Sequence, residues 1–290
     1  VAKVIERGLI MDNQIKVKNY TKRYVIWTYA VFWIGILIAA GLYLLSNSEL
    51  VMSLSTIPLS WIPTIVLFVM FNKLISNASR KEWLKENFKT KVNIKLVLIT
   101  TLIFVLSIVL TYLIMICYND AVLSLKEATV SFGGVVIEII VCIITGATGE
   151  ELGWRGYLQR HFEEKENGDV LKSALKVGLI WCFWHTLLWF VSGTGFGTWY
   201  LISYIATFII LNMCLSLIIA ICYKKCRNIF VPMWIHFLSN VTMSLAAPYF
   251  STSSAIIEAK WILSALYIVV TLLFILWYKR KEKDIEQQKI

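Results

Sequence analysis

Charge is scarce in this chain of 290 residues: Asp, Glu, Lys and Arg together make up 16% of it, whereas 58% is hydrophobic. A water-soluble domain carries more charge and less apolar surface, so that class is excluded. There is no linker or low-complexity tract to set off a second domain. No cleavable signal peptide is visible either, because the first apolar run follows a polar, basic stretch and is long enough to span a bilayer. Val1 to Ile10, ahead of Met11, are read as an upstream extension outside the functional sequence. The six cysteines offer no disulfide logic: Cys117, Cys142, Cys182 and Cys214 fall in apolar runs, and Cys222 and Cys226 sit at a helix end, so free thiols are expected. Histidine occurs only three times.

What the chain does have is apolar length. Eight stretches reach the roughly 17 to 25 residues that a membrane-crossing helix needs: 24–46, 57–75, 94–117, 132–158, 174–192, 199–223, 229–249 and 261–278. The fold class predicted is all-α, a polytopic membrane protein of about eight transmembrane helices. The net charge of +10 reflects topology rather than nucleic acid. Of the 28 Lys and Arg, 26 fall on one side once the spans alternate, and only Lys126 and Lys260 lie in the remaining loops. The positive-inside rule makes that side cytoplasmic, with both termini in. The organisation expected is a cytoplasmic segment 1–23, a single transmembrane domain 24–278 with its core at 132–249, and a basic tail 279–290. The basic connector from Ser76 to Asn93 has helical spacing, with Trp83, Leu84 and Phe88 among lysines, and reads either as an interfacial helix or as a solvated connector.

Against this background Thr148-Gly149-Glu150-Glu151-Leu152-Gly153-Trp154-Arg155 stands out, since charges within an apolar span are costly and tend to be functional. On a helix Glu151 and Arg155 stack in the favourable order for an ion pair, while Glu150 points elsewhere. Gly146, Gly149, Gly153 and Gly156 form a small-residue stripe that admits close approach of a helix or of a substrate backbone. His185 lies mid-span in the fifth stretch. His236 and Asn240, four residues apart in the seventh, share one helical face and can both donate to one oxygen. At about 1.5 Å per residue, Glu150 falls roughly 12 Å, His185 roughly 16 Å, and His236 with Asn240 roughly 10 to 16 Å from the cytoplasmic ends of their spans. The roles that follow are Glu150 with His185 as water-activating pair, His236 and Asn240 as oxyanion donors, and Glu151 with Arg155 as supporting residues.

This constellation resembles the CAAX prenyl protease and bacteriocin-processing (CPBP, or Abi) family of intramembrane glutamic endopeptidases. The family pattern is a pair of glutamates followed after three residues by arginine, a phenylalanine four before a histidine, and a histidine four before an asparagine. Glu150, Glu151 and Arg155 match the first motif, His185 falls in the second, and His236 with Asn240 match the third. Trp181 stands in place of the phenylalanine, a departure expected to alter packing rather than chemistry. The resemblance implies an eight-helix fold and metal-free glutamate chemistry on a prenylated protein, a peptide pheromone or a bacteriocin-type precursor. Abundant lysine and isoleucine point to an AT-rich bacterial genome, a plasma-membrane location, and peptide processing or self-immunity over prenyl-protein maturation.

The partners expected are the lipid bilayer and a peptide or lipidated protein, not nucleic acid. No cofactor is expected. The rival readings are a zinc site on Glu150, His185 and His236, a thiol protease using Cys182, a non-proteolytic immunity or scaffold protein, and a transporter relaying ions through the carboxylates, histidines and Asn212. Against the site stands the plainer reading of Glu151 and Arg155 as a juxtamembrane ion pair. Glu138, near the other end of the fourth span, is assigned to the extracytoplasmic interface. The cleft is expected to open towards the cytoplasm or sideways to lipid.

Overall fold

A computed structural model describes residues 2–118, 131–193, 197–250 and 252–287. Lys126 and the last three residues of the basic tail lie outside the described residues. The fold is all-α, and the protein is a multi-pass membrane protein. In order, the helices used below are α1 (Ala2–Ser46), α2 (Glu49–Thr56), α3 (Ile62–Val69), α4 (Arg80–Phe88), α5 (Ile94–Tyr118), α6 (Phe132–Lys165, interrupted), α7 (Val170–Trp184), α8 (Thr186–Gly193), α9 (Thr198–Cys226), α10 (Phe230–Ala246) and α11 (Ser253–Gln287).

Six segments among the described residues are long and apolar enough to cross a bilayer: Tyr20–Ser46, Leu50–Val69, Ile94–Cys117, Phe132–Lys165, Thr198–Cys226 and Ser253–Asp284. Their outward faces are apolar, as at Leu37, Leu102, Ile137 and Leu276, which suits lipid rather than water. The other two expected stretches are not among these six. α7 has 15 residues and stops at His185, and α10 has 17. α10 packs against α5, α6 and α9, whereas α7 keeps Leu175, Leu179 and Phe183 exposed on one apolar face. The second stretch is also broken up, with a tight turn at Pro58–Trp61 before α3, where Pro58 and Pro63 each open a new helical segment.

The connector from Ser76 to Asn93 folds as α4 and docks on the protein, which settles it against a solvated linker. Ser79 and Glu82 close a reciprocal cap at its start. Hydrogen bonds from Ser79 hold the Glu82 carboxyl below its ordinary pKa. Trp83 is buried against Phe71, and Asn87 accepts from the Tyr223 hydroxyl.

The core is aromatic. Trp154, Trp181, Trp184, Tyr24 and Tyr223 are among the largest fully buried side chains, and Arg155 is buried with them. Two of the indoles find carbonyls in other segments: Trp184 donates to Thr28 O, and Trp33 donates to Trp184 O. A ring that buries its body and satisfies its N–H ties two helices together at one point. The glycine stripe is explained the same way. A methyl group on Gly149 would lie 2.8 Å from the Trp61 ring, and one on Gly153 would lie 2.6 Å from the Tyr24 hydroxyl. At Gly149 and Gly153 the stripe therefore admits α1, α3 and the turn before α3, and at Gly156 it admits Trp83 of α4.

Candidate functional site

The fourth span is not a continuous rod. Thr145 is extended (φ −89°, ψ 132°) and Gly146 is left-handed (φ +73°, ψ −77°), so the helical ladder opens between Phe132–Cys142 and Thr148. Backbone carbonyls freed inside a bilayer need local partners. The Thr148 hydroxyl donates to Ile143 O at 2.7 Å, and the Trp61 indole donates to Ile144 O at 2.9 Å. From Leu152 to Gln159 the helix continues in wider π-type turns. Such departures are frequent at functional sites.

Beyond the break, the two glutamates separate as their spacing predicts. Glu151 Oε1 accepts from Arg155 Nη1 at 3.0 Å and from His236 Nδ1 at 2.8 Å. Glu151 and Arg155 are fully buried, and the guanidinium lies 4.3 Å from the centre of the Trp181 ring. The pair is therefore internal rather than juxtamembrane, and it reaches a third helix through His236. Glu151 Oε2 and Arg155 Nε and Nη2 have no hydrogen-bond partner among the described residues.

Glu150 turns the other way. Its Oε2 accepts from Trp154 Nε1 at 3.1 Å and from Trp181 Nε1 at 2.5 Å. This corrects the expectation for Trp181: a phenylalanine could fill the space but could not donate, so the tryptophan changes the chemistry around Glu150 as well as the packing.

His185 caps α7, with φ −79° and ψ 3° ending the helix there. Its Nδ1 lies 2.9 Å from Trp181 O. A carbonyl only accepts, so Nδ1 carries the proton and Nε2 of the neutral ring is a free base. The rings of Trp184 (4.7 Å) and Phe208 (5.2 Å) hold the imidazole in place.

A cavity of about 600 Å³ joins these helices, and His185, Trp181, His236 and Asn240 all lie on its wall. Gly146 faces two of them closely: a methyl group there would lie 3.1 Å from both His236 Nε2 and Asn240 Nδ2. Those two nitrogens thus converge on one small space beside the helix break. Glu150 is not on the wall; it is 4% exposed and lies behind Trp181.

The cavity has a direction along the bundle. It extends past Tyr200, Ala247 and Ile256, at the ends of α9, α10 and α11 opposite to Lys225, Arg227 and Lys279. The basic end is filled instead by buried side chains such as Trp83, Tyr157 and Tyr223. Lys260 was misplaced by sequence reasoning, and Glu138, near the end of the fourth span where it was expected, also faces the cavity. Glu138 lies on the cavity wall, with hydrogen bonds from the Ser244 hydroxyl and the Cys142 thiol. Lys260 lies within α11 on the same wall, not in a loop. One visible signal was the four-residue step from Glu150 to Trp154, a polar contact waiting on the same helix face. All six cysteines are free; Cys182 is fully buried.

The sequence matches the family described as Type II CAAX prenyl endopeptidase Rce1-like over residues 132–242, a stretch that runs from the start of α6 through Asn240. It is also similar to CAAX prenyl protease 2 of Methanococcus maripaludis, with 24% identity over 238 residues, covering 79% of this chain and 86% of the relative. Both matches bear out the resemblance drawn from the three motifs.

Proposed function

From that similarity, we propose that the protein is an intramembrane endopeptidase of the CAAX prenyl protease type, which hydrolyses a peptide bond by a water molecule activated between Glu150 and His185. The observation that carries the reading is the convergence of a basic His185 Nε2, His236 Nε2 and Asn240 Nδ2 on one cavity, with Glu150 directly behind its Trp181 wall. In this reading Glu150 takes one proton from the water as its oxygen adds to the scissile carbonyl, while His185 Nε2 accepts the other hydrogen bond of that water. Asn240 Nδ2 and His236 Nε2 donate to the oxyanion. To donate from Nε2 the His236 ring carries both protons, and Glu151 then receives the Nδ1–H together with its charge. Collapse of the tetrahedral intermediate breaks the C–N bond, and the proton returns to the leaving amine.

Both indole bonds to Glu150 fall on one oxygen, which leaves the other for water. No metal is needed in this scheme. We place the basic ends in the cytoplasm, treat 24–278 as one membrane domain, and take a prenylated protein or a lipid-anchored peptide precursor as substrate.

The test is cleavage of a panel of farnesylated and leader-type peptides by the purified protein in detergent or vesicles, with and without a chelator. Glu150→Ala and His185→Ala are each expected to lower kcat/KM by at least about a hundredfold while melting like wild type. Chelator-sensitive cleavage would move Glu150, His185 and His236 to a zinc site. Full activity in both variants would sink the assignment.

A further inference from the structure

The cavity has a second polar pole beyond His185 and Asn240. Lys260 stands there, about two turns into α11 and inside the segment Ser253–Asp284, where an ammonium group is costly to keep. Its Nζ lies 4.0 Å from the centre of the Tyr204 ring, and no carboxylate or hydrogen-bond acceptor among the described residues is in range of it. The other charged residue on the wall, Glu138, is engaged by Ser244 and Cys142 instead.

A strip of side chains leads to this pole. Tyr204, Phe208 and Asn212 recur every four residues on α9 and so share one face. The Phe208 ring is 5.2 Å from His185 and 6.3 Å from Tyr204, whose face carries Lys260. Asn212 lines the same cavity; it is only 7% exposed, and its Oδ1 has no partner among the described residues. A half-buried cation without an anion and a buried acceptor without a donor are both costly unless a ligand completes them.

We propose that Lys260 receives the free α-carboxylate at the C terminus of the substrate, while Asn212 Oδ1 accepts a backbone N–H of the segment about to be released. This deepens, and rests on, the endopeptidase reading of the site. It makes the enzyme a measuring device for distance from a chain end. The ring strip from His185 to Lys260 is no longer than its three contacts laid end to end, which is no more than about four extended residues at roughly 3.5 Å each. An acidic terminus bound there meets a cation in a medium of low dielectric, where such a bond is strong and selective. A peptide suits the amide acceptor and the aromatic strip better than a lipid phosphate does.

The experiment uses the full-length protein in vesicles and one internally quenched peptide with a farnesylated cysteine followed by three aliphatic residues, made as free acid and as C-terminal carboxamide. Wild type is expected to cut the acid with a kcat/KM about tenfold or more above that of the amide. Lys260→Met should abolish the advantage of the acid over the amide, and Lys260→Arg should restore much of that preference. Binding of both peptides is measured in parallel on Glu150→Gln protein by fluorescence anisotropy, with Glu150→Gln/Lys260→Met as control. If wild type cuts nothing but the acid binds more tightly than the amide in a Lys260-dependent way, the carboxylate site stands and the protease reading fails. If wild type cuts acid and amide equally, or Lys260→Met slows both alike, the carboxylate site is overturned and the protease reading stands. Neither cleavage nor binding of the acid overturns the proposal too.

Discussion

Arg155 and Lys260 are cationic side chains within the membrane-spanning part of this protein, and their surroundings differ in kind. Arg155 is fully buried, paired with Glu151 on its own helix, linked through that carboxylate to His236, and stacked on Trp181. Lys260 faces a cavity and touches only an aromatic ring. The first arrangement is closed in charge, although Glu151 Oε2 and Arg155 Nε and Nη2 make no further hydrogen bond among the described residues: each charge is answered from within the chain, so removing one leaves another stranded. The second is open, and its missing anion has to come from outside. Position in the bilayer alone therefore does not tell structural from ligand-binding charge; the count of internal partners does.

The contrast can be broken most directly at Arg155. Arg155→Met should destabilise the protein by about 3 to 5 kcal/mol, because it strands a buried Glu151 charge. Unfolding in detergent, followed by heat or by SDS titration, measures this. Adding Glu151→Gln should recover part of the loss, and a stable single variant would show that the cluster is not closed after all.

Next in size is Gly146→Ala. The left-handed backbone and the approach of His236 Nε2 and Asn240 Nδ2 to 3.1 Å both oppose a methyl group. Cleavage should fall by about a hundredfold through misplacement of those two donors. KM should change less than kcat, and wild-type kinetics would separate the helix break from the site.

The smallest effect is expected at the wall between the two regions. Trp181→Phe removes one donor from Glu150 and should cost about 1.5 to 3 kcal/mol in stability. Activity should survive within about tenfold, an energy of about 1.4 kcal/mol, because Trp154 still holds Glu150 and the family pattern has phenylalanine here. A larger loss of kcat at unchanged stability would make Trp181 part of the positioning of Glu150.

The sequence disclosed the all-α class because long apolar runs have few alternatives in a bilayer. The Glu151–Arg155 pair was equally legible, since i and i+4 meet on any helix with this step. The contact between Glu151 and His236 was not, because it joins two helices 85 residues apart and depends on their rotation. The break at Thr145–Gly146 was hidden because no proline marks it and its freed carbonyls are satisfied by Thr148 and by Trp61 of a distant segment. Lys260 was placed in a loop because one lysine ahead of an apolar run looks like a span boundary. Only its place on the cavity wall reveals otherwise. His185 was legible as a residue but not as the end of α7, since neither glycine nor proline follows it at once.

The interrupted fourth helix also bears on how the protein is made. A segment whose backbone opens at Thr145 and whose next turns hold two carboxylates is a poor candidate for entering lipid by itself. Its carbonyls need Trp61, its glycines need α1 and α3 alongside, and its charges need α10. The long apolar helices can insert one by one as the chain emerges, but this one gains its stability only when its neighbours arrive. Assembly of the bundle and assembly of the catalytic apparatus are then the same late event, so a misassembled copy would carry no half-built protease in the membrane.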